Sequence, residues 1–241
     1  MRQLHRILLL SACAVWAHAG IVVPNSLATV EGNGENITPF DEAVPIRYQQ
    51  VYAASQFGAG GLITQIAFRP DGTDGHPFAL TLPDMEIDLS TTQVAPDAMS
   101  ATFADNVGPD NTVVYSGPLT LSSADTGPAG GPKDFDIIIT LMTPFLYNPA
   151  SGNLLLDVKN FTGDPSGVMG PFDTENTNGD PISRLIGNQG DVTSPTGVTD
   201  TEGLVTSFTV AATATPEPGT LALFGIGGLL VLIGRRLRVR S

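Results

Sequence analysis

Short apolar runs, separated by turn-forming Gly, Pro, Asn and Asp, make up the chain between residues 20 and 210. Residues 62–69 alternate so that the even positions from Leu62 to Phe68 would share one buried face, and residues 85–90 alternate in the same way. A period of two is typical of a half-buried β-strand, because successive side chains point to opposite faces. Further strands are predicted for 47–53, 78–82, 98–104, 112–116, 119–122, 135–142, 154–161, 183–186 and 204–211.

This body lacks the 3.6-residue apolar stripe with capping residues that a surface helix requires. About ten short strands with turn signals between them predict an all-β fold, an antiparallel β-sandwich of jelly-roll-like type. Residues 137–139 and 154–156 are apolar at every position, so both are predicted to be central strands. The connections 123–133 and 163–181 are predicted to be long loops.

The first 19 residues have the organisation of a cleavable signal peptide. An apolar run over 7–16 ends in Ala17-His18-Ala19, where Ala17 and Ala19 suit the small pockets of signal peptidase. A run of this length is too short for a helix to cross ~30 Å of hydrocarbon. We therefore predict that the protein is exported and that 1–19 are removed. The basic residues ahead of the apolar run are Arg2, His5 and Arg6.

Cys13 leaves a second interpretation of this segment open. Leu10-Ser11-Ala12-Cys13 is similar to a bacterial lipobox, in which the cysteine becomes a lipidated N-terminus. In the first interpretation Cys13 only fills the apolar run of the signal peptide.

The C-terminus has three parts in a fixed order. A small-residue linker over 211–215 leads into Pro216-Glu217-Pro218, and an uncharged run follows over 221–234. As a helix this run would be ~21 Å long, which is short for ~30 Å of hydrocarbon. The basic residues behind it would stay in the cytoplasm by the positive-inside tendency, which leaves the body outside. They are Arg235, Arg236, Arg238 and Arg240.

This tail resembles the PEP-CTERM sorting signal, the substrate of exosortase-type membrane transpeptidases or proteases. The resemblance covers residues 216–241, and in that family the triplet found here as Pro216, Glu217 and Pro218 is the recognition element. The resemblance implies transient anchoring in the inner membrane, processing near the triplet, and release to the cell surface or an exopolysaccharide matrix. An ordinary single-pass anchor is the alternative, with the prolines marking where its helix begins.

The charge and composition of the body exclude several functions. Between residues 20 and 215 the chain has 5 basic and 23 acidic residues, a net charge of −18, which would repel nucleic acid. The body has no Cys and one histidine, His76, so cysteine nucleophiles and multi-histidine zinc sites are excluded. His76 lies among turn formers, and no carboxylate pair stands out. The protein is therefore predicted not to be an enzyme.

Two kinds of ligand remain as hypotheses for the body. Acidic and amide side chains around Gly179 could hold Ca²⁺, although Thr174 stands where the EF-hand pattern places its first Asp. Asp71 and Asp74 make a second, smaller acidic cluster. The candidate calcium ligands near Gly179 are Asp173, Glu175, Asn176, Asn178 and Asp180.

Glycan contact is the second hypothesis. Since the body has no Trp, Tyr48 and Tyr52 are the candidate sugar platforms, and core packing is the alternative role for both. A structural or adhesive protein of the cell surface or biofilm matrix is the function that these observations favour. An exopolysaccharide-binding domain is the rival.

Overall fold

A computed structural model describes residues 18–164 and 166–211 of the chain. Cys13, Ala17, the sorting triplet, the apolar run over 221–234 and the terminal arginines lie outside these residues. Within the described part, no helix is long and apolar enough to cross a membrane.

The described residues form thirteen strands, one short α-helix and three 3-10 turns. In chain order the strands are β1 (His18–Val23), β2 (Gly34–Asn36), β3 (Ile46–Tyr52), β4 (Gly61–Phe68), β5 (Phe78–Thr92), β6 (Thr112–Ser123), β7 (Ile137–Tyr147), β8 (Asn153–Asn160), β9 (Phe172–Asn176), β10 (Ile182–Gly187), β11 (Gly197–Asp200), β12 (Glu202–Leu204) and β13 (Thr206–Ala211). The helix is α1 (Phe103–Asn106), and the 3-10 turns are Asn25–Leu27, Ala54–Gln56 and Pro149–Ser151.

The strands form three antiparallel sheets, which confirms the all-β prediction. A four-stranded sheet has the order β1-β13-β4-β7, and a six-stranded sheet has the order β11-β10-β3-β8-β5-β6. A small sheet has the order β12-β9-β2. The two larger sheets share one apolar core, in which Tyr52 of β3 meets Phe208 of β13 edge-on with ring centroids 5.0 Å apart. Such pairing of inward faces is the packing of a β-sandwich.

The alternation predicted for 62–69 is interrupted by a bulge. The register of β4 with β7 shifts between Ile63 and Gln65, so Ile63, Ile66 and Phe68 are buried and Leu62 is half-exposed. The even-position face was therefore wrong for the first half of the strand. An extra residue in one strand reverses the facing of the residues before it.

One of the two predicted central strands is central. Residues 154–156 lie in β8 between β3 and β5, and all three leucines are at most 1% exposed. Residues 137–139 lie in β7, which is the last strand of the four-stranded sheet, and Ile138 is 47% exposed. The prediction for 137–139 was wrong. A strand that is apolar at every position can be buried on both faces, or it can expose one apolar face to solvent, as β7 does.

Other segments differ from the predicted strands. Residues 98–104 are irregular and run into α1, and 204–211 is divided into β12 and β13. The segment 163–181 contains β9, which pairs with strands distant in sequence. At the ends, β1 begins two residues before the expected cleavage after Ala19, and Ala211, predicted as linker, belongs to β13. The two strands predicted for 78–82 and 85–90 are parts of one continuous strand, β5, and those predicted for 112–116 and 119–122 are parts of β6.

Candidate metal centre

The small sheet places Asp173 beside Arg69. Asp173 lies in β9, the central strand of that sheet, and Arg69 follows the last residue of β4. Their side chains are 0% and 1% exposed, and Arg69 Nε donates to Asp173 Oδ2 at 2.6 Å. The backbone N–H of Gly32 donates to the other oxygen, Oδ1, at 2.9 Å. Both oxygens of this carboxylate are therefore hydrogen-bonded inside the protein.

Two further carboxylates approach Asp173 from other segments. Ligand oxygens of Glu31, Asp71 and Asp173 all lie within 4.8 Å of one another. Glu31 Oε1 accepts from the backbone N–H of Gly72 at 2.7 Å, which links the segment before β2 to the turn after β4. Glu31 Oε2 is buried and has no hydrogen-bond partner among the described residues. An acceptor of this kind is costly unless a cation, proton or water satisfies it.

The acidic group continues toward the surface. Glu35, Asp71 and Asp74 also have ligand oxygens within 4.8 Å of one another, and Glu35 and Asp74 are exposed. Asp71 Oδ1 accepts from the backbone N–H groups of Thr73 and Asp74, both at 2.8 Å, which fixes the turn. Asp71 belongs to both groups, so five carboxylates from three segments converge around it.

The electrostatics of these carboxyls reflect burial and mutual repulsion. Burial raises the pKa of Asp173 to about 7, and the Glu31 carboxylate adds to this effect against the opposing charge of Arg69. Desolvation also raises the pKa of Glu35, with further contributions from Asp74 and Asp71. Carboxylate oxygens at this density are the ligands that Ca²⁺ prefers. We refer to Glu31, Glu35, Asp71, Asp74 and Asp173 as the acidic cluster.

Only one of the five predicted calcium ligands, Asp173, lies in the acidic cluster. Glu175 Oε1 accepts from Asn33 Nδ2 at 2.9 Å, and Asn176 Oδ1 accepts from Thr201 Oγ1 at 2.6 Å. These contacts join β9 to its neighbours, and Glu175 is not among the carboxylates that converge around Asp71. Because side chains alternate along β9, predicted ligands at neighbouring positions point to opposite faces of the sheet.

The remaining two predicted ligands, Asp180 and Asn178, lie outside the acidic cluster. Asp180 Oδ1 accepts from the backbone N–H of Ile182 at 2.8 Å, and burial raises the pKa of Asp180 to about 6. Asn178 lines a cleft of about 200 Å³. Its other lining residues are Asp97, Met99, Ser183, Thr199, Asp200 and Thr201.

Glu31 and Glu35 are the cluster members that sequence reasoning missed. Asp71 and Asp74 were recognised as acidic neighbours because they are close in sequence. Glu31 lies 40 residues before Asp71 and 142 before Asp173. No local pattern joins these positions, because the pairing of β2 with β9 and the bridge between Pro70 and Phe172 bring them together.

Both candidate glycan-contact tyrosines are in the core. Tyr48 and Tyr52 are 0% exposed. The Tyr48 hydroxyl donates to Gln50 Oε1, and the Tyr52 hydroxyl lies 2.9 Å from Thr206 Oγ1. The glycan role assigned to these two residues was therefore wrong, and core packing is what both do.

His76 is held by the backbone of a neighbouring loop. Its Nε2 lies 3.0 Å from the carbonyl oxygen of Val168, and its ring packs against Gly170. Gly170 has φ +71°, a conformation that favours glycine, and a Cβ there would lie 2.5 Å from His76 Cε1 unless the ring moved. The contacts are those of a residue that positions a loop.

A pair of buried carboxyls lies where the segment between β2 and β3 meets the loop that holds Val168. Asp41 and Asp164 are each 6% exposed, and each has one oxygen without a partner among the described residues. Burial raises the pKa of Asp41 to about 6, and the adjacent Asp164 carboxylate, which accepts a hydrogen bond only from protonated Asp41, adds to the shift. Burial also acts against ionisation of Asp164, yet hydrogen bonds from Ser166 hold its pKa below the usual value. The pair is arranged to share one proton.

The comparisons with known proteins concern the tail. The family description "PEP-CTERM protein-sorting motif" matches residues 214–239. Neither the curated proteins nor the solved structures gave a match to this chain. The motif implies an exported protein that is anchored transiently through its C-terminus and processed by an exosortase. The chain thus carries a PEP-CTERM sorting motif, as the order of triplet, apolar run and arginines predicted.

Proposed function

We propose that this protein is a non-enzymatic structural or adhesive component of the cell surface or extracellular matrix. The observation that carries the proposal is the continuity of fold and sorting motif. Strand β13 ends at Ala211, and the motif begins at residue 214. The folded body is therefore attached almost directly to the segment that the exosortase processes, as a displayed module would be.

The proposed fold of this module is a jelly roll. The support is the strand order, because two sheets ordered β1-β13-β4-β7 and β3-β8-β5-β6 have the connectivity of two interlocked Greek keys. Strands β10 and β11 extend the second sheet at its β3 edge. Jelly rolls occur in lectins and in capsids, so this architecture does not identify the role of the protein. The role has to be inferred from the site.

Intact-mass spectrometry of the surface form tests the sorting step. We expect the mature protein to begin at Gly20 and to end near Pro216, without the terminal arginines. A variant with Pro216→Ala and Pro218→Ala should retain the arginines and stay in the membrane fraction. A wild-type surface form that keeps Arg240 would instead favour the single-pass anchor.

A polysaccharide-binding domain is the second candidate, and the cleft at Asn178 favours it. The cleft is lined mainly by hydroxyl, amide and carboxylate groups, which can exchange hydrogen bonds with sugar hydroxyls. Pull-down on the producing cell's own exopolysaccharide tests this role. Binding that is lost in Asn178→Ala and Thr199→Val, and kept in Thr120→Val on the exposed face of β6, would favour it over a purely structural role.

Calcium is the ligand proposed for the acidic cluster. Five carboxylates face one arginine there, and Glu31 Oε2 is buried without a partner among the described residues. A divalent cation would offset this repulsion and connect the segments that hold β2, β4 and β9 together. The expected role of the ion is structural, since it would join three segments of one domain.

A further inference from the structure

Charge is distributed unequally between the two larger sheets. The six-stranded sheet has eight charged residues in its strands. The strands β1, β4, β7 and β13 of the four-stranded sheet contain no Asp, Glu, Lys or Arg. Since the body carries a net charge of −18, an uncharged sheet of this size is a distinct surface of the molecule.

The outer face of the four-stranded sheet is apolar along one side. Cross-strand partners place Leu62 opposite Leu146 and Ala67 opposite Ile138. Their neighbours Ile63 and Phe145 are also partners, and both point into the core. Since side chains alternate across a strand, the Leu62–Leu146 and Ala67–Ile138 pairs lie on the solvent side.

Exposure confirms this orientation. Ile138 is 47% exposed, Met142 is 62% exposed and Leu146 is 63% exposed, all on the even positions of β7. Small or uncharged side chains of β7 and of the other three strands complete the face. They are Gly20, Val22, Gln65, Thr140, Ser207 and Thr209.

We propose that this face, which we call the neutral face, is a self-association surface that pairs with the same face of a second copy. The distribution of charge argues for this occupant, because among the described residues the four-stranded sheet is the one large sheet whose strands carry no Asp, Glu, Lys or Arg. Two copies with a net charge of −18 each repel one another, and the approach that brings uncharged faces together keeps the acidic groups farthest apart. A two-fold arrangement would set Leu146 and Met142 of one copy against the same residues of the other.

The available area predicts a weak, concentration-dependent dimer. Four strands spaced ~4.8 Å apart and about seven residues long present ~450 Å² per copy, which gives ~900 Å² for a pair. This area lies below the ~1,200 Å² at which stable interfaces begin, so we expect a weak dimer with a dissociation constant of about 10 to 500 µM. Tethering or embedding in a matrix raises the local concentration into that range.

Sedimentation equilibrium of the processed protein tests the proposal. We expect the mean mass of wild type to rise toward twice the monomer mass between about 10 and 500 µM. Added NaCl should strengthen association, because it screens the repulsion between acidic bodies. Met142→Glu and Leu146→Glu should each weaken association about tenfold or more, because a buried unpaired charge is costly.

The matched control is Val113→Glu. Val113 is 44% exposed on β6 of the six-stranded sheet, so the change adds the same charge to a similarly exposed apolar site elsewhere. Association should be unchanged in this variant, and circular dichroism should show that all three variants are folded. A wild type that stays monomeric at the highest concentration overturns the proposal, as does equal weakening in all three variants. Binding of monomers to phosphatidylcholine vesicles without self-association would assign the face to lipid instead.

Discussion

Arg69 and Asp173 form an ion pair that is almost completely removed from solvent, with side chains 1% and 0% exposed and 2.6 Å between Nη2 and Oδ2. The guanidinium also donates to the carbonyl oxygen of Val30 at 2.6 Å and lies 4.9 Å from the Phe135 ring centroid. One residue thus connects β9, the segment before β2 and the segment before β7.

Arg69→Met should destabilise the protein strongly. At pH 8, above the raised pKa of Asp173, the substitution leaves this carboxylate buried without a charge partner, which costs about 3–5 kcal/mol. Urea unfolding followed by circular dichroism measures the loss. Glu86→Gln is the control, because it removes one partner of the more exposed Lys159 pair and should cost less than about 1 kcal/mol. Equal costs for the two variants would contradict the structural role assigned to Arg69.

Calcium should raise the melting temperature through the acidic cluster. At a concentration of 100 times the dissociation constant, a bound ion adds about 2.7 kcal/mol, or about 5–10 °C for a domain of this size. Asp71→Asn should remove this shift, because Asp71 belongs to both carboxylate groups, while its amide oxygen still accepts the bonds that fix the turn. Differential scanning calorimetry with Ca²⁺ and with chelator measures both effects.

Asp84→Asn is the control for that experiment, since Asp84 is exposed and outside the cluster. It should keep the full calcium shift. A wild type whose melting temperature is the same with Ca²⁺ and with chelator would remove calcium from the proposed function.

Stability should fall as the pH rises from about 5 to about 8. The pKa values of Asp41 and Asp180 are raised to about 6 and that of Asp173 to about 7, chiefly by burial. The folded state therefore binds protons that the unfolded state has released. This contribution is fully present below the unfolded pKa near 4 and is lost as the pH rises through 6 to 7. Urea midpoints at both pH values test the sign.

Asp41→Asn should flatten that pH dependence. An amide at this position still accepts from the Gly170 N–H and can donate to Asp164, so no charge repulsion develops at high pH. The loss of stability between pH 5 and pH 8 should shrink by on the order of 2 kcal/mol. Asp84→Asn should leave the slope as in wild type, and a slope unaffected by Asp41→Asn would rule out a shared proton.

Tyr52 should matter for stability and not for glycan binding. Tyr52→Phe removes the hydrogen bond to Thr206 and should cost about 1 kcal/mol. Tyr52→Ala also leaves a cavity beside Phe208 and should cost about 3–5 kcal/mol. Tyr115→Phe, whose hydroxyl bonds to the exposed Pro118 carbonyl, should be close to neutral. Loss of polysaccharide binding in folded Tyr52→Phe would contradict the core assignment.

Periodicity predicted several strands well because alternation acts within one element. Residues 85–90 alternate in the sequence, and Met85, Ile87 and Leu89 are 0% exposed in β5. The same reasoning failed at Leu62, where a bulge in β4 changes the facing of side chains. It also missed β2 and β9, whose short polar sequences form strands because partners distant in the chain pair with them. The short strand β11, which pairs with the preceding strand β10, was missed as well.

The candidate site shows the same division. Asp71 and Asp74 could be seen as neighbours in the sequence, and Asp173 was noticed as part of an acidic segment. Their association with Glu31 and Glu35 could not be predicted, because it depends on which loops adjoin β9. Tyr48 and Tyr52 could have been platforms or core residues, and only the packing of two sheets over them decided the matter.

The sequence alone determined the export route and the fold class. The sorting tail is one contiguous segment, and strand alternation involves only neighbouring residues, so both can be recognised without knowledge of long-range contacts. Tertiary structure decided which carboxylates converge, which tyrosines are buried and which sheet presents an uncharged face. Each of these depends on strand order and register, which join residues that are tens to more than a hundred positions apart.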